Sequence, residues 1–296
     1  MKTGSNGSLV TVAHSAASDA PSFALPADAC DCHMHVFDPG LPFAANAVLT
    51  HGAATPQQYR YLQRRLGTTR NVVVQPSSYG MDHRAMLAAL RYFGESARGV
   101  AVVTPDTPDA ELDRLAEAGV VGARLNLVQR GATEIAMARP LASRLRRMGW
   151  HLQVHMLPEA FLNNVDSLLA LGIDVVVDHF ARVCSDEALT PLMERAVHEL
   201  LASGHGWLKL SGAYMAVPAG SHDLHRLDEF VISIAQQFSS RLVWGTDWPH
   251  ATESDKPDDT ALTNLLLRWF PASDARDRLL VSNPAALYQF DGARTL

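Results

Sequence analysis

Cysteine is scarce in this chain of 296 residues: there are three, Cys30, Cys32 and Cys184. An odd count, with two of the three a single residue apart, gives no disulfide framework and suits free thiols in a reducing cytoplasm. Basic residues are also in short supply, 25 Lys and Arg against 31 Asp and Glu for a net charge of -6. The pairs Arg64-Arg65 and Arg146-Arg147 read as helix surface, so no nucleic-acid partner is expected. No apolar run approaches the roughly 20 residues that span a bilayer, which leaves out a membrane partner. Residues 1–25 lack the continuous apolar segment, about 7 to 15 residues long, of a signal peptide. They are expected to form a loose arm ahead of one domain over residues 26–296.

Hydrophobic residues make up 47% of the chain and charged residues 19%, enough apolar material for one large core. Short Val, Ile and Leu runs predict strands near residues 29–36, 71–76, 99–103, 121–127, 151–156, 174–179, 206–211 and 241–246. Such runs suit strands buried on both faces. Helical patterns between them end at glycines: 81–93 before Gly94, 109–118 before Gly119, 159–171 before Gly172 and 186–203 before Gly204. Strands alternating with helices make a parallel α/β sheet, and eight strands close into a (β/α)8 TIM barrel. An open doubly wound sheet is the alternative, but no Gly-rich phosphate loop follows the first strand. The stretch 39–69 is long for a first strand-to-helix connection and reads as a flap over the barrel mouth followed by a helix at 56–66.

The run Asp31-Cys-His-Met-His-Val-Phe37 carries the sharpest signal, because alternate strand residues share a face and bring His33 and His35 together. On its own, such a pair is as readily two hydrogen-bonded core histidines. Other strand ends add Gln75 and Ser77, Arg124 and Asn126, His155, His179, Lys209 and Ser211, and Asp247. Strand C-termini that repeatedly deliver polar groups to one place are what a barrel active site requires. Imidazole and carboxylate can build either a divalent-metal site or a metal-free acid–base cluster. Opening a cyclic ester needs a water nucleophile, a base and groups that polarise the carbonyl. Asp247 suits the base, and His33, His35 and His179 the polarising groups, either as donors or as ligands of one Zn²⁺. Arg124, Arg130 and Arg182 stand at or just after strand ends and suit bidentate binding of a substrate carboxylate, which points to a small anionic substrate.

The segments Ala29-Cys-Asp-Cys-His-Met-His-Val-Phe-Asp-Pro39, Val73-Val-Gln-Pro-Ser-Ser78, Val177-Asp-His-Phe-Ala-Arg182, Val243-Trp-Gly-Thr-Asp-Trp-Pro249 and Ser282-Asn-Pro-Ala-Ala-Leu-Tyr288 resemble those of one branch of the amidohydrolase superfamily. From about Pro26 onward the chain resembles its lactone-processing members: 2-pyrone-4,6-dicarboxylate lactonase, sulfomuconolactone hydrolase and D-galactarolactone isomerase. The resemblance implies a lactonase acting on a carboxylated sugar-acid or aromatic-catabolic lactone. Its rivals are a lactone isomerase, a decarboxylase on the same barrel and, last, a non-catalytic acid-binding barrel. It also implies that no metal is required. One Zn²⁺ on His33, His35, His155, His179 and Asp247 is the alternative, and a bridged two-metal site is not expected, since Arg124 stands on strand 4 where such sites carry a lysine. After strand 7 the chain reads Ser211-Gly-Ala-Tyr214 where the pyrone lactonases carry a further Arg. Recognition by Tyr214, Ser77, Asn126 and His155 therefore gains weight, and with it a sugar-acid lactone.

Overall fold

The computed structural model describes residues 12–16, 19–129 and 133–290. Eight parallel strands lie in sequence order: β1 (Cys30–Met34), β2 (Arg70–Val74), β3 (Ala97–Ala101), β4 (Val120–Asn126), β5 (His151–His155), β6 (Val175–Val177), β7 (Gly206–Ser211) and β8 (Leu242–Gly245). They alternate with α1 (Pro56–Leu66), α2 (Arg84–Phe93), α3 (Asp109–Glu117), α4 (Ala138–Met148), α5 (Pro158–Leu169), α6 (Thr190–Ala202) and α7 (His225–Gln237); α8 (Asp259–Trp269), α9 (Ser273–Asp277) and α10 (Asn283–Tyr288) follow. This is the (β/α)8 barrel the pattern predicts. Closure between β8 and β1 runs through the chain just beyond β8: Asp247 N–H donates to His33 O at 2.8 Å, and His35 N–H to Trp248 O at 2.8 Å. A Cβ at Gly245 would lie 2.6 Å from the His33 nitrogen, so glycine is what lets the two edges meet.

Local chemistry explains where the elements begin. Thr55 and Gln58 form a reciprocal capping box at the start of α1, and Gly67 ends that helix in the left-handed region. The predicted helix at 186–203 begins instead at Thr190. Asp186 caps the preceding turn through Ala188 N–H, and Pro191 sits in the first helical turn. Arg146 and Arg147, expected on a helix surface, lie in α4, whose extent the pattern did not mark: Ala138, Leu141, Ala142 and Leu145 form a narrow buried stripe among four arginines. The expected loose arm is docked where it is described. Val12 and Ser15 are buried, and Trp248 Nε1–H donates to Ala13 O at 2.8 Å. Among the described residues no helix is long and apolar enough to cross a membrane.

Two apolar layers hold the strands. The larger lies between strands and helices; the smaller joins Cys30, Cys32, Val72, Val74, Val100, Val176 and Val243 to Leu287 and Tyr288 of α10, at the end opposite the mouth. His151 belongs to this lower region, with its ring edge-on to Tyr288 and no well-formed hydrogen bond to either ring nitrogen among the described residues. Burial, with the Lys209 ammonium adding to it, pushes its pKa down to about 3. An unfolded histidine takes its proton near pH 6.5 and this buried one does not, so stability is lost as pH falls below 6.5. The loss at pH 5 is about 2 kcal/mol. His151→Leu should therefore lose about 2 kcal/mol less than the parent between pH 7.5 and pH 5 in urea unfolding. Identical pH dependence of the two proteins would place the buried ring's proton elsewhere.

Candidate active site

β1 has a register irregularity between Asp31 and Met34. Cys30 and Cys32 pack in the lower cluster, whereas Met34 joins the layer beneath the helices. Plain alternation would put Cys32 and Met34 on one face. The irregularity turns both His33 and His35 to the mouth, where their Nε2 atoms lie 3.3 Å apart. Asp31 anchors the bend: its carboxylate accepts from His33 N–H, Thr246 N–H, Thr246 Oγ1–H and Tyr59 Oη–H. Burial raises its pKa to about 6 against those four donors.

Asp247 Oδ1 lies 3.5 Å from His33 Nε2, 3.6 Å from His35 Nε2 and 3.9 Å from His179 Nε2. Its other oxygen, Oδ2, accepts from Tyr214 Oη–H at 2.8 Å. Burial disfavours the charged carboxylate, but the imidazoles of His179, His35 and His33 outweigh it and hold Asp247 well below the usual carboxylate range. Burial likewise pushes His179 down to about 4 despite Asp247 and Asp178 nearby, so both groups are in their basic forms at neutral pH. His179 Nδ1 contacts Ser211 Oγ at 3.0 Å and Ser211 O at 3.2 Å, which fixes the ring plane. His35 Nδ1–H donates to Val74 O at 2.8 Å, leaving its Nε2 as an acceptor.

Beneath this cluster lies a charge network that the sequence did not reveal. Asp178, fully buried, accepts from Arg124 Nε–H at 3.0 Å and Gln153 Nε2–H at 3.0 Å, and its Oδ1 lies 3.4 Å from both His33 Nδ1 and Lys209 Nζ. Lys209, expected at the mouth, sits below it and donates to Gln153 Oε1 at 2.7 Å. One signal was available: Gln153 and Lys209 each stand two residues before a mouth residue, on the same inward face as His155 and Ser211.

A cavity of about 590 Å³ opens on Asp247, lined by His35, His155, His179, Arg124, Asn126 and Ser77 and roofed by Ala47, Val48 and Leu49 of the flap. Arg124 spends Nε on Asp178; its two terminal nitrogens have no partner among the described residues. Asn126 Oδ1 accepts from Val128 and Gln129 N–H, so part of its polarity shapes its own loop. Tyr214 and Arg182 stand apart from this wall. Tyr214 Oη is engaged by Asp247 and His250, Arg182 Nε–H donates to His155 Nε2 at 3.1 Å, and both line a neighbouring cavity of about 1120 Å³. Gln75 is tied to Gly80 O and Val102 N–H and serves its loop. Arg130 lies outside the described residues.

The donor set fits a divalent cation. His33 Nε2, His35 Nε2 and Asp247 Oδ1 are mutually 3.3 to 3.6 Å apart, the spacing of ligands on a tetrahedral ion about 2.0 to 2.1 Å from each. His33 Nδ1, without a hydrogen bond of its own among the described residues, would then carry a hydrogen toward Asp178 Oδ1, which faces Lys209 at 3.4 Å but likewise has no hydrogen bond. Without an ion, His33 Nε2–H can donate to His35 Nε2 instead.

Comparison with known proteins gives one family across the barrel. The model of the family described as Amidohydrolase matches residues 30–290. A 2-pyrone-4,6-dicarboxylate hydrolase of Comamonas testosteroni is 36% identical over 90% of this chain and 92% of its own length. A D-galactarolactone isomerase of Agrobacterium fabrum is 30% identical over 91% and 94%. A crystal structure of a probable 2-pyrone-4,6-dicarboxylic acid hydrolase from Acinetobacter baumannii, with citric acid bound, superposes with a TM-score of 0.77 at 26% identity, covering 88% of this chain and 99% of that one.

Proposed function

The chain belongs to the amidohydrolase family, in its lactone-processing branch, and from that premise we propose that it is a cytoplasmic lactonase adding water to a small carboxylated lactone, with Asp247 as the base. The observation that carries the reading is the carboxylate of Asp247, held at the mouth with Oδ1 facing three imidazoles and the cavity. The three unpaired, buried thiols suit the reducing compartment.

The lactone lies in the cavity with its carboxylate on the free nitrogens of Arg124 and its carbonyl against His179. His179 polarises the carbonyl oxygen through Nε2–H in the tautomer in which Ser211 Oγ–H donates to Nδ1 at 3.0 Å; the tautomer with Nδ1–H on Ser211 O at 3.2 Å leaves Nε2 an acceptor. Asp247 Oδ1 takes a proton from water as the water oxygen attacks the carbonyl carbon. The tetrahedral oxyanion collapses, the ring C–O bond breaks, and the ring oxygen recovers the proton from Asp247. The product is an acyclic acid with one new carboxylate.

His33, His35 and Asp247 would hold the divalent ion if one is bound, and the ion would then supply Lewis-acid polarisation of the carbonyl. The reading needs no such ion. Tyr214 occupies Oδ2 of Asp247, so Oδ1 is the oxygen left to accept a proton, and a cation there would compete for it. Purified protein is expected to carry well under one zinc per chain, and chelation to leave turnover unchanged. Stoichiometric zinc whose removal abolishes turnover would make these residues ligands first.

A second reading has its own support in the D-galactarolactone isomerase relative: a substrate hydroxyl replaces water and one lactone becomes another. A panel of 2-pyrone-4,6-dicarboxylate, sugar-acid lactones and their uncharged analogues, followed with a pH indicator, tests the class. Acid release confined to the carboxylated lactones is expected. Lactone consumption without acid favours the isomerase, and no consumption anywhere contradicts both.

A further inference from the structure

Behind the base and the Tyr214 hydroxyl lie two buried polar side chains, His250 and Asp259, to which neither the fold nor the reaction above assigns a task. Tyr214 follows Gly212, which takes a left-handed φ of 59° where an added Cβ would meet Met215 Cε at 2.5 Å. That turn delivers the phenol to the carboxylate, with Tyr214 Oη 2.8 Å from Asp247 Oδ2. The same oxygen lies 3.0 Å from His250 Nδ1, and His250 Nε2 lies 3.1 Å from Asp259 Oδ1. The side chains of His250 and Asp259 are both 0% exposed. Asp259 opens α8, and its second oxygen has no hydrogen-bond partner among the described residues. A buried carboxylate half unpartnered is costly to the fold. Neither residue lines the substrate cavity.

We propose that Asp259, His250 and Tyr214 form a positioning chain that fixes the Asp247 carboxylate with Oδ2 occupied and Oδ1 alone turned to the nucleophile. The chain works by geometry. A carboxylate on a single side-chain bond can rotate to offer either oxygen, and rotation toward Tyr214 would take the proton acceptor away from the reacting carbonyl. The hydroxyl on Oδ2 selects one rotamer. That hydroxyl would itself swing about the phenol ring without His250 beside it, and the imidazole is held by Asp259 at the head of a helix that packs outside the barrel. Three residues, one following β7 and two following β8, none of them lining the substrate cavity, thus set the direction of one oxygen. The assignment rests on Asp247 being the base.

The test is a double-mutant cycle on the full chain with a second, activity-independent readout. Tyr214→Phe is expected to lower kcat about 10- to 100-fold with KM nearly unchanged, because positioning acts in the transition state. Asp259→Asn is expected to lower kcat about 5- to 20-fold, also without raising KM. The double variant should be no slower than Tyr214→Phe alone, because Asp259 acts through the phenol. Losses that multiply, or that fall on KM, overturn the chain, and a general loss of folding at Asp259 would show as such a multiplied loss. In parallel, protein carrying ¹³C at the tyrosine ζ position reports on the phenol directly. The signal that disappears in Tyr214→Phe should move in Asp259→Asn and in Asp247→Asn. A Tyr214 signal indifferent to Asp259→Asn overturns the proposal whatever the kinetics. A parent protein that opens no lactone while that signal still moves contradicts the functional reading and leaves the chain standing.

Discussion

Asp247→Asn is expected to lower kcat by about 10²- to 10⁴-fold with the barrel intact. The substitution keeps the shape of the side chain and its contact with Tyr214, since the amide oxygen can still accept at the Oδ2 position 2.8 Å away. It puts an NH2 group where Oδ1 faces His33, His35 and His179, and an amide cannot take the proton of the attacking water. The backbone anchor, Asp247 N–H to His33 O, is untouched, so thermal stability should change little while turnover collapses. Circular dichroism melts and initial rates on the same preparation check both halves. A variant with near-normal kcat would remove Asp247 from the chemistry.

Arg124→Lys is expected to lower kcat/KM for a carboxylated lactone by about 5- to 150-fold, equivalent to roughly 1 to 3 kcal/mol of transition-state binding. Arginine here does two things at once: Nε ties it to Asp178 and its terminal nitrogens face the cavity. Lysine keeps the charge but has a single nitrogen for both tasks and no planar fork. An uncharged lactone should show much less of this loss. Equal losses on charged and uncharged lactones would make Arg124 a structural partner of Asp178. Arg182 is tied to His155 and lines the neighbouring cavity, so Arg182→Lys should cost less than Arg124→Lys.

Strand ends were the legible part of this molecule. Buried parallel strands are short apolar runs whatever their neighbours, and the residue that ends each run must face the mouth, so His35, His155, His179 and Asp247 could be placed together from spacing alone. Alternation reached the right outcome for His33 and His35 by an incomplete route. Asp31 bends β1 by accepting one hydrogen bond from its own strand and three from α1 and the β8 loop, and long-range partners of that kind leave no local pattern. Tyr214 illustrates the other limit. A tyrosine in a mouth loop reads as a substrate donor until the fold brings Asp247 and His250 to its hydroxyl. Asp178 precedes a mouth histidine and has no spacing signal of its own; what it holds is Arg124, Gln153 and Lys209, from three other strands. His250 and Asp259 carry no spacing signal at all, since they meet only through the turn that follows β8.

The account stands most directly on the source of the oxygen that opens the lactone. Turnover of the best carboxylated lactone in H₂¹⁸O, followed by mass spectrometry of the product, should place one ¹⁸O in the new carboxylate, at a rate that falls with Asp247→Asn. A lactone consumed at full rate with no label in the product would contradict it, because the nucleophile would then be a hydroxyl of the substrate.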